Sequence, residues 1–272
     1  MLDFAIKTAK KAGKFTLKKW RKPLTITKKG IRDLVTEVDK GSEELIIKEI
    51  LKKFPTHGII AEESSKNNKA TLTKLQKAPY IWIIDPLDGT TNYTLGLPQY
   101  AVSIGIFKNT HAESSKNFDY LEGELIYGVV YAPALDELFY TAKGKGAYLN
   151  GKKIHVSNTK KVIDSVMATG FPYEDKVINL PYLEAILEKS RGVRRFGAAS
   201  LDMCYVARGI FDAHWELGLK AWDIAGAALM VEEAGGTVTD TNGEQIDLFG
   251  QNILASNGKI HAETVNIFKD LP

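Results

Sequence analysis

Two aspartates three residues apart carry the strongest chemical signal in this chain. In the stretch IWIIDPLDGTTNY, residues 81–93, four apolar residues lead into Asp85, and Asp88 follows after Pro86 and Leu87. The apolar run reads as a strand that delivers Asp85 to its C-terminal end. Pro86 fixes φ and takes the chain out of the ladder. The short offset lets both carboxylates turn toward one point, where two like charges are costly unless a cation lies between them. Hard oxygen ligands of this kind suit Mg²⁺, which also accepts substrate phosphate oxygens in its shell. Gly89 permits a positive φ or a close backbone approach. Thr90 and Thr91 fall where a helix would begin, with N–H groups and a helix dipole that favour a phosphate. Taken alone, the same residues also describe a plain Asp-Gly turn.

The wider sequence adds carboxylates. AEES places Glu62 and Glu63 after the apolar run GII, and LKAWDIAG places Asp223 at the N-terminus of a strongly apolar helix beside Trp222. DLVTEVD adds Asp33, Glu37 and Asp39 ahead of another helix. Each has a structural use on its own, because aspartate is a good N-cap. Together they provide oxygen ligands for a two- or three-metal site. His57, His111, His155, His214 and His261 are scattered without ligand spacing, and Cys204 lies in an apolar helix. All six read as structural or surface residues.

The elements that must position these groups follow from periodicity. Leu2, Ala5, Ile6, Ala9, Ala12, Gly13, Leu17 and Trp20 form one helical face, with Lys7, Lys10, Lys11, Lys14 and Lys18 on the other. This reads as a packed helix with a solvated lysine face. Contact with a membrane surface or a nucleic acid is the alternative. Residues 37–54 read as a helix with Pro55 just past its end, and HGIIAEESS as a strand leading into an acidic loop. Residues 66–79 are polar, a loop or short helix. YAVSIGIF, GELIYGVVYAP, DELFYTA and GAYLNGKKI read as consecutive strands, with NTHAESSKNFDYLEG as a surface insertion.

Beyond about residue 160 the pattern mixes strands and helices: strand SVMATG, helix 179–190, strand GVRRFG, helix 199–208, strand FDAHWEL and helix 223–234 before the Gly235-Gly236 pair. The strand GTVTD and a last strand-and-helix pair close the chain. Mixed elements without strict alternation predict layered α+β sheets. The length of 272 residues fits a single domain over 1–272, or two packed halves meeting near residue 155.

Composition excludes several classes. The charged share of 25% is ordinary, and a net charge of +3 is too small to demand a nucleic-acid partner. One cysteine cannot form an internal disulfide and fits a reducing compartment. No apolar run reaches the roughly 18 residues of a membrane span, and the N-terminus lacks a continuous signal core. A cytoplasmic globular protein is the expectation.

With these blocks in view, the chain resembles the inositol monophosphatase family, within the lithium-sensitive, magnesium-dependent sugar-phosphatase superfamily. DLVTEVD, AEES, WIIDPLDGTTNY, AVSIG, GAYLNGKKI, GAASLDMCYVARG and LKAWDIAGAALMVEEAGG occur in family order over nearly the whole chain. The resemblance implies an α-β-α-β-α sandwich and a homodimer. It implies that Glu62, Asp85, the Leu87 carbonyl, Asp88 and Asp223 bind the metals, with Asp85 bridging two of them. Thr90, assisted by Asp39, orients and deprotonates the attacking water, and the amides of Gly89 and Thr90 hold the phosphate. Glu63 supports the site from behind. Two departures stand out: Ala61 replaces the glycine of a usual G-E-E, and Ala198 stands where a hydroxyl residue is frequent. The implied reaction is phosphate-ester hydrolysis without a covalent intermediate, in which two metals about 3.5–4 Å apart stabilise the attacking and leaving oxygens.

The alcohol is addressed by other residues. Glu216 precedes Asp223 by seven residues, as the polyol-contacting glutamate of inositol-phosphate enzymes does, and a carboxylate accepts hydrogen bonds from ring hydroxyls. Arg194, Gly197, Ala198 and Ala199 are placed by the resemblance on the substrate wall, with Arg194 serving either substrate or a dimer contact. Inositol 1-phosphate is the leading substrate. Fructose 1,6-bisphosphate is the runner-up, ahead of histidinol phosphate and phosphoadenosine phosphate. A basic nucleic-acid-binding module is the non-enzyme alternative, and the clustered acids count against it as the main role.

Overall fold

Apolar runs broken by turn residues between positions 58 and 154 build one mostly antiparallel sheet. A computed structural model describes residues 1–28, 34–64, 75–110, 122–172, 179–250, 252–269 and 271. Asp33, His111, most of the 66–79 segment and most of the 109–123 insertion lie outside the described residues. A short pair, β1 (Ile26–Lys28) and β2 (Leu34–Thr36), precedes the main sheet. That sheet has seven strands in chain order: β3 (Gly58–Ala61), β4 (Tyr80–Asp88), β5 (Ala101–Asn109), β6 (Gly123–Ala132), β7 (Glu137–Ala142), β8 (Ala147–Leu149) and β9 (Lys152–Ile154). Only β3 and β4 pair in parallel. The segment GAYLNGKKI, read as one strand, is the β8–β9 hairpin, turning at Asn150 and Gly151, both with positive φ.

The second sheet has five strands: β10 (Val166–Thr169), β11 (Gly192–Arg194), β12 (Ala213–Leu217), β13 (Thr237–Thr239) and β14 (Asn252–Ser256), in the order β11-β10-β12-β14-β13. Here β10 runs parallel to both β11 and β12.

Helices cover both outer faces and fill the gap between the sheets. On the larger sheet lie α1 (Leu2–Lys19) and α2 (Glu37–Lys53). Ala5, Ala9 and Ala12 of α1 and Ile46 and Ile50 of α2 pack with Trp82, Ile84, Val102 and Ile104 of the sheet. Lys7, Lys10, Lys14 and Lys18 remain exposed, while Lys11 pairs with Glu49 at 2.7 Å. A short helix, α3 (Thr90–Thr94), follows β4. The outer face of the smaller sheet carries α4 (Leu180–Leu187) and α8 (His261–Phe268), where Tyr182, Ile186 and Phe268 meet Trp215 and Leu254. Between the sheets lie α5 (Ala199–Ala207), α6 (Ala221–Ala225) and α7 (Ala228–Glu233). Met203, Cys204, Met230 and Val231 there pack against Val130 and Phe139 of one sheet and Ile253 and Ala255 of the other. The layers run α-β-α-β-α, as expected. Among the described residues no helix is long and apolar enough to cross a membrane.

Two readings need correction. Pro86 does not end the β4 ladder: the strand continues to Asp88, and its register against β5 shifts between Asp85 and Asp88. A bulge absorbs the missing donor, which is where a strand tolerates proline. The helix read over 223–234 is two short helices, α6 and α7, parted at Gly226–Ala227.

The break lies directly over the sheet. Gly105 and Gly128 face each other across β5 and β6. A Cβ on Gly105 would lie 2.6 Å from the Ala225 Cβ, and one on Gly128 would lie 2.4 Å from the Gly226 carbonyl oxygen. The paired glycines let the helical backbone sit directly on the sheet, two residues after Asp223. Gly105→Val should destabilise the protein by about 1–3 kcal/mol through overpacking against backbone that cannot yield. A lowered urea midpoint with an unchanged m-value would register this, and an unchanged midpoint would rule out the tight seat.

Candidate active site

One cavity of about 320 Å³ opens where parallel strands of both sheets end. β3 and β4 of the larger sheet deliver Glu62, Asp85, Leu87 and Asp88, and β10, β11 and β12 deliver Gly170, Arg195, Glu216 and their neighbours. Gly89, Thr90, Gly197, Ala198, Ala199 and Asp223 complete the part of the lining named from sequence. Asp39 lies fully buried behind Thr90. Carboxyl ends of parallel strands, where the chain turns to the next element, are general ligand positions in such sheets.

Arg194 is the exception. It is exposed, and its Nη1 donates to the Val193 carbonyl at 3.1 Å. β11 ends at Arg194, and side chains alternate across a strand, so Arg195, also exposed, lines the cavity instead.

Asp85 and Asp223 are anchored by backbone of their own sequence neighbours, and Asp88 by the start of a distant helix. Asp85 Oδ1 accepts from the Leu87 N–H at 2.9 Å, across the Pro86 bulge. Asp88 Oδ2 accepts from the Ser200 N–H at 2.9 Å and the Ser200 hydroxyl at 2.5 Å, at the head of α5. Asp223 Oδ2 accepts from the Lys220 N–H at 2.6 Å. Asp223 is thus the third residue of α6 and reaches back to the cap, rather than being the cap itself. Glu43 Oε2 accepts from the Glu63 N–H at 2.8 Å and ties the turn after β3 to α2.

Thr90 lies between two acceptors. Its hydroxyl is 2.7 Å from Asp39 Oδ1 and 3.1 Å from the Leu87 carbonyl. Asp39 Oδ2 in turn accepts from the Thr36 N–H at 2.9 Å and from the Thr36 hydroxyl, completing a capping box at the start of α2. Gly89 heads α3 with φ of 85°, and a Cβ there would meet the Gln99 carbonyl at 2.9 Å and Ala198 at 3.2 Å. With only five residues, α3 offers its leading amides more than any sizeable dipole.

The electrostatics are those of crowded acids. Burial first, then the charges of Glu62, Asp88 and Asp223, hold the Asp85 carboxyl well above the usual range. Burial also raises Asp88, and the donors at Ser200 and its neighbouring amides oppose that rise. Glu216 is pushed up to about 8 by burial and by Asp223 and Asp88, with Arg195 acting the other way. His214 sits 3.6 Å from Glu216, but burial pushes it down to about 3, so the pair is not an ion pair at neutral pH. Gly170 makes room for Glu216: a Cβ there would lie 2.0 Å from Oε1.

The donor set fits a hard cation in chemistry and in charge, being oxygen-only and rich in mutually repelling carboxylates. Among the described residues, however, no three His, Cys, Asp or Glu side chains are closed around one point as an assembled metal site. Each of Asp85, Asp88 and Asp223 has one oxygen fixed to the protein instead.

Sequence reading missed several supports. Glu43 and Gly170 belong to no motif, and Ser200, though inside the block GAASLDMCYVARG, shows its role only once Asp88 is placed beside it. Asn92 is a further such support. It is buried, and its amide donates to the Gln99 carbonyl at 2.7 Å and the Phe196 carbonyl at 2.6 Å, tying α3 to the 196–199 loop. Its position directly after DGTT was the available clue.

Fold and cavity together define a layered α+β protein with an acid-lined pocket at the strand ends of two sheets. The chain belongs to the inositol monophosphatase family, whose profile matches residues 1–271. It is 38% identical over 266 residues to the Nus factor SuhB of Pseudomonas aeruginosa, covering 95% of this chain and 92% of that protein. It is 36% identical over 271 residues to the fructose-1,6-bisphosphatase/inositol-1-monophosphatase of Thermotoga maritima, covering 99% of this chain and 96% of that one. Among solved structures, the extragenic suppressor protein suhB of Bartonella henselae superposes with a TM-score of 0.85 at 35% identity, covering 98% of both chains.

The raised Glu216 pKa makes a stability prediction. A carboxyl held protonated in the fold contributes stability that is fully present below its usual value of 4.5 and is lost as pH rises through about 8. In chelator-treated protein, Glu216→Gln should therefore flatten the fall in urea midpoint across that window. Parallel pH profiles for the two proteins would show that Glu216 is not held protonated.

Proposed function

We propose that this chain is a Mg²⁺-dependent phosphate monoester hydrolase acting on a phosphorylated polyol, with inositol 1-phosphate as the leading substrate. The observation that carries the reading is the Thr90–Asp39 hydrogen bond at the edge of a cavity lined by five carboxylates. Glu62, Asp85, the Leu87 carbonyl, Asp88 and Asp223 would hold the magnesium, two or three ions in number. Bound magnesium would supply Lewis-acid charge stabilisation and a water acidified toward neutral pH.

The chain's own residues do the rest. Thr90 has one proton to donate, and Asp39 Oδ1 takes it, so the Thr90 oxygen turns lone pairs to the cavity. It therefore accepts from the attacking water and aims it. As the water loses its proton to Thr90 Oγ1, the threonine proton passes to Asp39 Oδ1. The amides of Gly89 and Thr90 hold the phosphate oxygens, with Gly89 allowing the close approach. Glu216, walled in by Gly170, meets the alcohol hydroxyls. In its protonated form it both donates and accepts. Little covalent work is asked of the protein, because phosphoryl transfer depends mainly on position and charge.

The alternative substrate, fructose 1,6-bisphosphate, is favoured by one observation: the Arg195 guanidinium beside the cavity. The relative from T. maritima bears a name covering both activities.

Phosphate release measured over inositol 1-phosphate, fructose 1,6-bisphosphate and histidinol phosphate, with and without Mg²⁺, tests the reading. Turnover of at least one ester, abolished by chelation, is the expected result. Folded protein that releases no phosphate from any of them with Mg²⁺ present would sink it. Asp88→Asn should lose several orders of magnitude in turnover with its circular dichroism retained, and near-normal turnover would remove Asp88 from the metal set.

A further inference from the structure

β12 carries two polar side chains into the layer between the sheets, and the proposed hydrolysis uses only one of them. Trp215 packs outward against Tyr182 and Phe268, so by strand alternation His214 and Glu216 point inward, toward α5. Their sheet neighbours on that face, Ala168, Ile253 and Ala255, are apolar. His214 is fully buried there, and neither ring nitrogen has a hydrogen-bond partner among the described residues. A buried polar atom left unpaired is destabilising, so packing alone would favour an apolar residue at this position. His214 Nε2 lies 3.6 Å from Glu216 Oε2. Glu216 Oε1 is the oxygen nearer Gly170, on the cavity wall.

Resting on the phosphatase reading, we infer that His214 is a positioning residue for the alcohol part of the substrate. Its Nε2 accepts the carboxyl proton from Glu216 Oε2, which leaves Oε1 to accept from a substrate hydroxyl. The gap is about half an ångström longer than a hydrogen bond and closes by a small turn of the Glu216 carboxyl. Burial pushes Glu216 up to about 8 and His214 down to about 3, so at neutral pH the proton rests on the carboxyl and the ring is a neutral acceptor. With Nε2 accepting, the ring's own proton sits on Nδ1. Asp223, Asp88 and Arg195 act on Glu216 from around the cavity, and Asp202 acts on it from α5. Asp202 is the competing acceptor, being buried with Oδ1 unpaired among the described residues. Burial, then the charge of Glu216, hold Asp202 well above the usual carboxyl range, so it keeps its own proton. A neutral imidazole nitrogen is the stronger acceptor of the two. Without the ring, the Glu216 carboxyl is free to turn its proton toward the substrate and loses its fixed role.

Nitrogen-15 NMR of the histidine rings tests the pair without turnover, in chelator-treated protein just below neutral pH. His214→Gln identifies the His214 resonances by their loss. The ring should carry its proton on Nδ1, and its Nε2 shift should move when Glu216→Ala removes the donor. A proton on Nε2 would overturn the inference. So would an unmoved shift, which would give the Glu216 proton to Asp202. Kinetics supply the second measurement. His214→Phe keeps a ring without the nitrogens and should raise the KM for inositol 1-phosphate about tenfold with kcat nearly unchanged, the scale of one hydrogen bond. Glutamine at the same position offers an acceptor oxygen and should recover part of that loss. An unchanged KM in His214→Phe, or a loss confined to kcat, would count against the assignment and remove it. If no ester is turned over by the parent protein, the phosphatase reading fails. The ring spectra still decide, in that event, whether His214 takes the Glu216 proton.

Discussion

Asp88 ties the larger sheet to the helical layer between the two sheets. It ends β4 in the larger sheet, and it accepts from Ser200 at the first turn of α5, the helix that fills the space between the sheets. A charged group at a helix N-terminus stabilises by about 0.5–2 kcal/mol, and here it also offsets the burial of the carboxylate. The geometric consequence matters more. Residues 85–90, which come from one sheet, are fixed against 197–200, which lead into the central layer. Asn92 repeats the tie two residues into α3, through the carbonyls of Gln99 and Phe196. Any cavity wall built from both segments depends on these two side chains.

The same principle explains the glycines around the cavity. Crowding acidic groups at strand ends requires that backbones approach more closely than side chains allow. Gly105 and Gly128 admit Ala225 and Gly226, which sets Asp223 at the cavity edge. Gly170 leaves room for Glu216, and Gly197 leaves room for Arg195. At Gly170 and Gly197 the absent side chain marks a place where a charged one is brought in. Repulsion among the acids is then lessened by hydrogen bonds from backbone N–H groups to Asp85, Asp88 and Asp223.

Most of this was legible where chemistry and local order coincide. Asp85, Asp88, Gly89 and Thr90 lie within six residues, and strand and helix start are written there, while the bulge that keeps Pro86 inside β4 is not. The α-β-α-β-α layering came from family resemblance, because periodicity alone gives elements and not their stacking order. What escaped depended on tertiary context. A continuous apolar pattern over 223–234 reads as one helix, yet the chain breaks at Gly226–Ala227, where Gly105 and Gly128 let its backbone sit against the sheet. Arg194 and Arg195 are alike in sequence, and only the phase of β11 decides which one faces inward. Ser200 is an unremarkable serine in an apolar helix until Asp88 is placed beside it.

Asp39 shows why stability and proposed chemistry cannot be assigned to separate residues here. One of its oxygens closes the capping box with Thr36 and so starts α2, whose Ile46 and Ile50 cover the larger sheet. The other holds the Thr90 hydroxyl. The helix cap thus fixes the orientation of the carboxylate, and that orientation decides which way the Thr90 lone pairs point. Helix α2 contributes a second such link through Glu43, which holds the turn carrying Glu62. A helix that packs on the face of a sheet thereby sets the positions of two groups at the sheet's edge. Substitutions along its buried face should reach the cavity through Asp39 and Glu43 without touching it directly.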